Sequence, residues 1–416
     1  MVNSKTSHRD RGLILIPNFV DHSGDVVNEI QLVKNLCRER TCIILGFTRE
    51  SKLIQLREFI TDLRREEWAR NSIILPLPIL RPYTVSLLLS SILLTSIILL
   101  LDKLKPVRFI YVRSSPLAFA FMFIPSLARK TCVKIPAIFE DEERTLGRVF
   151  SFVYKLADQT VLERAGCICI PSSLLLREIA LRRKTLPKGK IVWVPAGIDR
   201  EKIERIKKQA SSRINKDSYT IGFVGLLEWW QGVDILVKAV AKIKDSLDRP
   251  IKILIVGDGP ERRKIEKLCR ELKVDCHITG FIKHEEALKL MKNFDTLVVP
   301  SIKISTTSSN IPIKVIEAWA LGIPVITTRH EIYEWLGLKD MEDILFCEPE
   351  PGDVARRILM VLRDKESRHR LSEKSPSLAE IFYYSKIANR IFSVLGLNTS
   401  KRNTFSKGNE YRYDQL

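Results

Sequence analysis

Lys314 and Glu317 lie three residues apart in the run NIPIKVIEAWALGIPVITT. On a helix that is close to one turn, so an ammonium and a carboxylate would face the same way. Upstream, TIGFVG ends in Gly225, and ILIVGDGPERRKIEKLCREL places Gly257 and Gly259 between a strand-like and a helix-like stretch. A glycine at a strand's C-terminal end lets the backbone approach a phosphate, and the N–H groups that open the next helix point at the same anion. Pro260 then falls at a favoured first helical position. These residue types suit the binding of a phosphorylated ligand, with Lys314 supplying positive charge. Neither turn is the G-x-G-x-x-G fingerprint, which argues against a dinucleotide dehydrogenase. Taken singly, the same glycines would equally serve a fold that needs nothing more than tight strand-to-helix turns.

The elements that must position these residues follow an α/β pattern. Short β-branched runs alternate with amphipathic stretches, as in domains built on parallel sheets. The expected strands of the first half are Leu13–Pro17, Cys42–Gly46, Ser72–Leu75, Phe109–Val112, Val133–Phe139, Cys167–Pro171 and Ile191–Val194. Those of the second half are Thr220–Val224, Ile251–Val256, Cys276–Thr279, Thr296–Pro300 and Pro324–Thr327. Their continuous apolar character implies burial on both faces. A chain of 416 residues suits two domains. The expected division is a first Rossmann-like domain over 1–198, a charged linker over 199–218 and a second domain over 219–380. A C-terminal helix over 381–397 and a polar tail over 398–416 complete it.

The net charge of +19 is uneven. Residues 1–218 hold 37 basic and 22 acidic side chains, a net of +15, so the excess belongs to the first half. No nucleic-acid-binding motif accompanies it, and nucleic acid is not an expected partner. An anionic membrane surface fits better, because residues 82–101 (PYTVSLLLSSILLTSIILLL) carry no charge. At 1.5 Å per residue such a helix would be about 30 Å long, enough to span a bilayer. Spanning would pull it out of a domain whose strands continue on both sides, so a buried helix and one lying in a membrane interface are the stronger readings. Arg81, Lys103, Lys105, Arg108, Arg129 and Lys130 nearby suit the interface. The eight cysteines form no C-x-x-C pair, which argues against zinc and for a reducing compartment. With a polar start, MVNSKTSHRD, the expectation is a cytoplasmic protein, peripheral on the inner face of the cell membrane.

Read together, the blocks FVG…WWQGVDILVKA, ILIVGDGPERRKIE, ITGFI, FDTLVVPS and IPIKVIEAWALGIPVITT resemble the donor-binding domain of retaining family-four glycosyltransferases. The resemblance implies that Glu317 hydrogen-bonds a nucleotide ribose, a task for a carboxylate that accepts from two vicinal hydroxyls. It also implies donor contacts at Gly225, Gln231, Gly257, Phe281, Ile282, Ser309, Asn310, Ile311, Pro312 and Ile313. Three positions depart from the family. Ser309 stands where a second Glu is common, and Leu226 and Gln231 stand where an Arg and a Lys usually meet the pyrophosphate. Lys314 is then left to carry that charge. In the first half, LIPNFVDHSGDVVNEIQLVKNLC resembles the family's opening strand, loop and helix, with Gly24 facing the donor phosphates. Glu140 and Asp141, beyond an expected strand end, are candidates for the acceptor side, or else part of a solvated acidic loop.

What the resemblance implies is a GT-B fold: two Rossmann-like domains facing a cleft, with the C-terminal helix returning to the first. The implied reaction moves a hexose from a UDP-, GDP- or ADP-sugar to a hydroxyl of a glycan or lipid-linked saccharide, with retention. Lys314, Gly24 and the backbone of 310–313 would stabilise the leaving pyrophosphate. No cofactor is expected, and no D-x-D pair is placed to hold a metal. The open alternatives are a sugar-nucleotide epimerase of related fold and a non-catalytic sugar-nucleotide binder.

Overall fold

The structure is a computed structural model, and it describes residues 11–16, 24–38, 40–49, 61, 66, 69, 72–79, 83–136, 148–209, 217–303 and 310–397. The chain divides into two compact units. The first comprises Met1–Pro195 with Tyr384–Leu416, the second Ala196–Tyr383.

In the first unit seven parallel strands pair in the order β3-β2-β1-β4-β5-β6-β7. They are β1 (Arg11–Ile16), β2 (Thr41–Arg49), β3 (Ile73–Ile79), β4 (Phe109–Val112), β5 (Thr131–Lys134), β6 (Cys167–Ile170) and β7 (Lys190–Trp193). Alternation along β1 shows why its continuous apolar run is needed. Leu13 and Leu15 enter one core with Leu87, Leu94 and Ile98 of helix Tyr83–Leu104. Ile14 and Ile16 enter the opposite core with Leu32, Val33 and Leu36 of helix Gly24–Cys37. That second core is closed by Tyr384, Ile387, Ile391 and Phe392 of helix Tyr384–Val394. Strand β5 ends at Lys134 rather than running to Phe139, ahead of Pro136, which has no N–H for a ladder. Cys132, Cys167 and Cys169 project into the second core with their sulfurs within 4.8 Å of one another. A C-x-C spacing and a distant third cysteine gave no sign of this meeting.

In the second unit six parallel strands pair in the order β10-β9-β8-β11-β12-β13. They are β8 (Tyr219–Val224), β9 (Ile251–Val256), β10 (Asp275–Ile278), β11 (Thr296–Val299), β12 (Val325–Thr328) and β13 (Leu345–Cys347). Two expectations need correcting here. The stretch read as a charged linker contains helix Arg200–Lys208, capped by Asp199, whose side chain accepts from the Lys202 N–H at 3.0 Å. Ile203 and Ile206 of that helix are buried. The helix expected to begin at Pro260 begins instead at Arg262, with Glu261 as its cap.

Candidate functional site

The strand order of the second unit reverses between β8 and β11, and such a switch point leaves a crevice at the strands' C-terminal ends. The chain leaves β8 through Gly225 and β9 through Gly257, with φ of 128° and 151°. Few L side chains adopt such angles, and the space is also closed. A Cβ on Gly257 would lie 2.0 Å from the Gly225 carbonyl oxygen. The two turns are tied by Gly225 N–H to Val256 O at 2.9 Å and Leu227 N–H to Asp258 O at 2.9 Å. Bare backbone therefore lines this part of the crevice, as the sequence led one to expect.

Helix Ile313–Ala320 enters the crevice from the β11 side. Ile311 precedes a proline and is held out of the helical region; Pro312, with φ of −62° and ψ of 135°, caps the helix. Val315, Ile316 and Trp319 are buried, and Trp319 packs 6.2 Å from the Phe382 ring. Lys314 crosses toward β8. Its Nζ donates to Gln231 Oε1 at 2.8 Å, stands 4.2 Å above the Phe223 ring and would lie 3.0 Å from a Cβ on Gly225. Burial pushes its pKa down to about 7, because the ammonium has left water and no carboxylate among the described residues replaces it. One turn on, the buried Glu317 accepts a hydrogen bond at Oε1 from His284 Nε2, 2.5 Å away. Its remaining oxygen keeps its capacity to accept.

The structure thus brings together Gly225, Gln231, Gly257 and Lys314, with Glu317 on the same helix. Ile311 is buried and Ile313 half-buried beside it, and the Asn310 Oδ1 is buried with no hydrogen-bond partner among the described residues. Phe281 projects outward, 75% exposed, with Ile282 half-buried behind it. Ser309, Glu140 and Asp141 lie outside the described residues. Gly24 opens helix Gly24–Cys37 in the first unit, after β1.

Several polar residues at the strand ends carried no signal strong enough to find. His284 is one of them, since a histidine 33 positions from Glu317 cannot be paired with it by spacing. Asp258 is another: its Oδ1 accepts from Gly259 N–H at 2.8 Å and its Oδ2 from Arg262 at 2.7 Å, which fixes the β9 turn. Past β11, Ser301 Oγ meets His330 Nε2 at 2.8 Å, and burial with the nearby Lys303 charge pushes His330 down to about 4. That imidazole is neutral at physiological pH.

Residues 204–377 match the family described as glycosyl transferases group 1. The match takes in most of the second unit. An uncharacterized glycosyltransferase of Methanocaldococcus jannaschii is 24% identical over 247 residues, 59% of this chain and 59% of the relative. A D-inositol 3-phosphate glycosyltransferase of Corynebacterium urealyticum is 26% identical over 58% of both chains. The chain therefore spans somewhat under two thirds of these curated relatives. Among solved structures, HepE of Anabaena in complex with UDP superposes with a TM-score of 0.67 at 15% identity, covering 93% of this chain and 99% of that one. Sucrose-phosphate synthase of Thermosynechococcus elongatus gives 0.65 at 17%, covering 93% and 98%. At these identities the likeness speaks for the fold, which is GT-B with two Rossmann-like units. The matched residues contain all five sequence blocks that suggested a glycosyltransferase.

Proposed function

We propose that this chain is a retaining glycosyltransferase that moves a hexose from a nucleoside diphosphate sugar to a hydroxyl of a glycan or lipid-linked saccharide. The observation that carries the proposal is the placement of Lys314. It is a buried ammonium held against the β8 glycine turn, one helical turn from a buried carboxylate, at the switch point of a parallel sheet. Burying an ammonium without a carboxylate is costly, and an incoming diphosphate would supply the missing counter-charge. In this reading Glu317 accepts hydrogen bonds from the donor's ribose. Lys314 and the backbone N–H groups that open its helix meet the charge that grows on the leaving diphosphate.

Solved structures of HepE in complex with UDP and with UDP-glucose make a UDP-sugar the first donor to test. Calorimetric titration with UDP-, GDP- and ADP-sugars comes first, followed by product analysis with a radiolabelled donor. Transfer of label to an acceptor, with the anomeric configuration kept, is the expected result. Interconversion of donors without transfer would identify an epimerase, binding without turnover a sugar-nucleotide binder. Failure of every donor to bind would remove the basis of the proposal.

A further inference from the structure

Helix Tyr83–Leu104 of the first unit has two apolar stripes, and the fold uses one of them. Leu87, Leu94 and Ile98, with Ser91 between them, are buried against the sheet. Leu89, Ile92, Leu93, Ile97, Leu100 and Leu104 are 50–70% exposed. At 3.6 residues per turn these six span an arc of about 140°, opposite the buried stripe. The window Ser86–Leu104 has a mean hydropathy of 2.1, yet 22% of it is buried. A helix apolar around its whole circumference belongs in a core or in lipid, and half of this one is in neither.

Its surroundings extend the patch. The turn Phe119–Phe123 and helix Arg148–Arg164 pack against it and leave Phe123, Phe152 and Leu156 exposed. Basic side chains border these residues. Lys103 and Lys105 are exposed at the helix's C-terminal end, Lys155 beside Leu156, and the Arg164 guanidinium lies 4.8 Å from the Phe123 ring. Residues 83–136 and 148–164 together hold ten Lys or Arg and three Asp or Glu. One of those acids, Asp102, is paired with Lys130 at 2.7 Å.

We propose that this face docks the first unit on an anionic lipid bilayer, with the helix lying in the plane of the interface. The outward stripe would enter the boundary between headgroups and acyl chains, and the basic border would meet anionic headgroups. Charge complementarity chooses this occupant over a second copy of the chain, which would bring two basic borders together. Spanning is excluded by connectivity: the helix joins β3 to β4 within one sheet, and its inner stripe is fixed there. Docking goes beyond the transferase reading and needs no donor, so the two can fail separately.

The test is co-sedimentation of the full chain with vesicles of phosphatidylcholine alone or mixed with phosphatidylserine, at low and high salt. Binding to the anionic vesicles that weakens with salt is expected. The double variant Leu93→Ser, Leu100→Ser should lower partitioning about tenfold or more, since it removes apolar area on the docking stripe. Leu181→Ser, at an exposed leucine of helix Ser173–Arg183, should leave it unchanged. Leu93→Trp supplies a second readout that does not depend on those variants folding well, a blue shift of its fluorescence on anionic vesicles. No sedimentation of the native chain would overturn the proposal. So would binding unaffected by the double variant with no blue shift, or a dimer that the double variant dissociates.

Discussion

Lys314→Met should stabilise the second unit while weakening its ligand. The charged side chain is buried, and its pKa of about 7 lies well below the ordinary lysine value. At about 1.4 kcal/mol per pKa unit, keeping that ammonium charged costs the fold roughly 4–5 kcal/mol. The direction is fixed by proton counting. Between about pH 7 and the ordinary lysine value the unfolded chain binds more protons than the folded one, so stability rises with pH across that window. The whole penalty is present below about pH 7. Methionine removes the charge and keeps the stem. It also gives up the contact with the Phe223 ring and deprives Gln231 Oε1 of its donor. Those losses come to about 2–3 kcal/mol. The net gain at pH 6 is therefore about 1–3 kcal/mol, or a rise in Tm of about 2–12 °C for a unit of this size. The gain should shrink by pH 9. Over the same range UDP should bind the native protein more weakly as pH rises above about 7, because the ammonium must be regained on binding, whereas the variant should show no such slope. Calorimetry at pH 6 and 9 gives the stabilities, and titration with UDP gives the affinities. A variant less stable at pH 6 that binds UDP as well as the native chain would refute the reasoning. Placing Arg at 226 or Lys at 231 in the variant should restore part of the lost affinity.

Glu317→Ala should raise the donor dissociation constant at least about tenfold, through hydrogen bonds to a charged acceptor worth about 1.5–3 kcal/mol each. Its circular dichroism should match the native chain, and unchanged affinity would remove Glu317 from the site. His284→Gln keeps a donor for Glu317 Oε1 and should hold donor affinity within about threefold, while His284→Ala should lose about tenfold. Equal titrations for the two variants would show that the histidine does not position the carboxylate. Gly257→Ala places a methyl 2.0 Å from the Gly225 carbonyl at a φ of 151° and should cost at least about 2–3 kcal/mol in denaturant unfolding.

The parts of this molecule that a sequence shows are those set by local pattern. Continuous apolar runs located the strands flanking the site, and glycine placement located the turns after β8 and β9. Strand β13 escaped because Leu345–Cys347 is three residues long, too short for a period to show. Helix Arg200–Lys208 escaped because Ile203 and Ile206 are a sparse apolar signal among seven polar residues. Side-chain pairings escaped for a different reason. Gln231 and His284 reach Lys314 and Glu317 across 83 and 33 positions, distances that strand order closes and residue spacing does not encode. Gln231, read as a departure from the family, turns out to accept a hydrogen bond from the lysine expected to compensate for it.

Helix Tyr384–Val394, the last among the described residues, sets a timetable for the first unit. Tyr384 donates to Asn28 at 2.5 Å, Phe392 meets Phe109 edge-on at 5.4 Å, and Arg40 stacks 3.6 Å from the Phe392 ring. None of these contacts can form until the ribosome has passed position 384. At roughly 5–20 residues per second, about 190 residues of translation separate the end of β7 from that point, or some 10–40 seconds. Throughout that interval one face of the seven-stranded sheet has helix Gly24–Cys37 on it and lacks the rest of its cover. Chaperone demand should therefore peak late in synthesis, and a chain released before Tyr384 should aggregate through its first unit even though its second is complete.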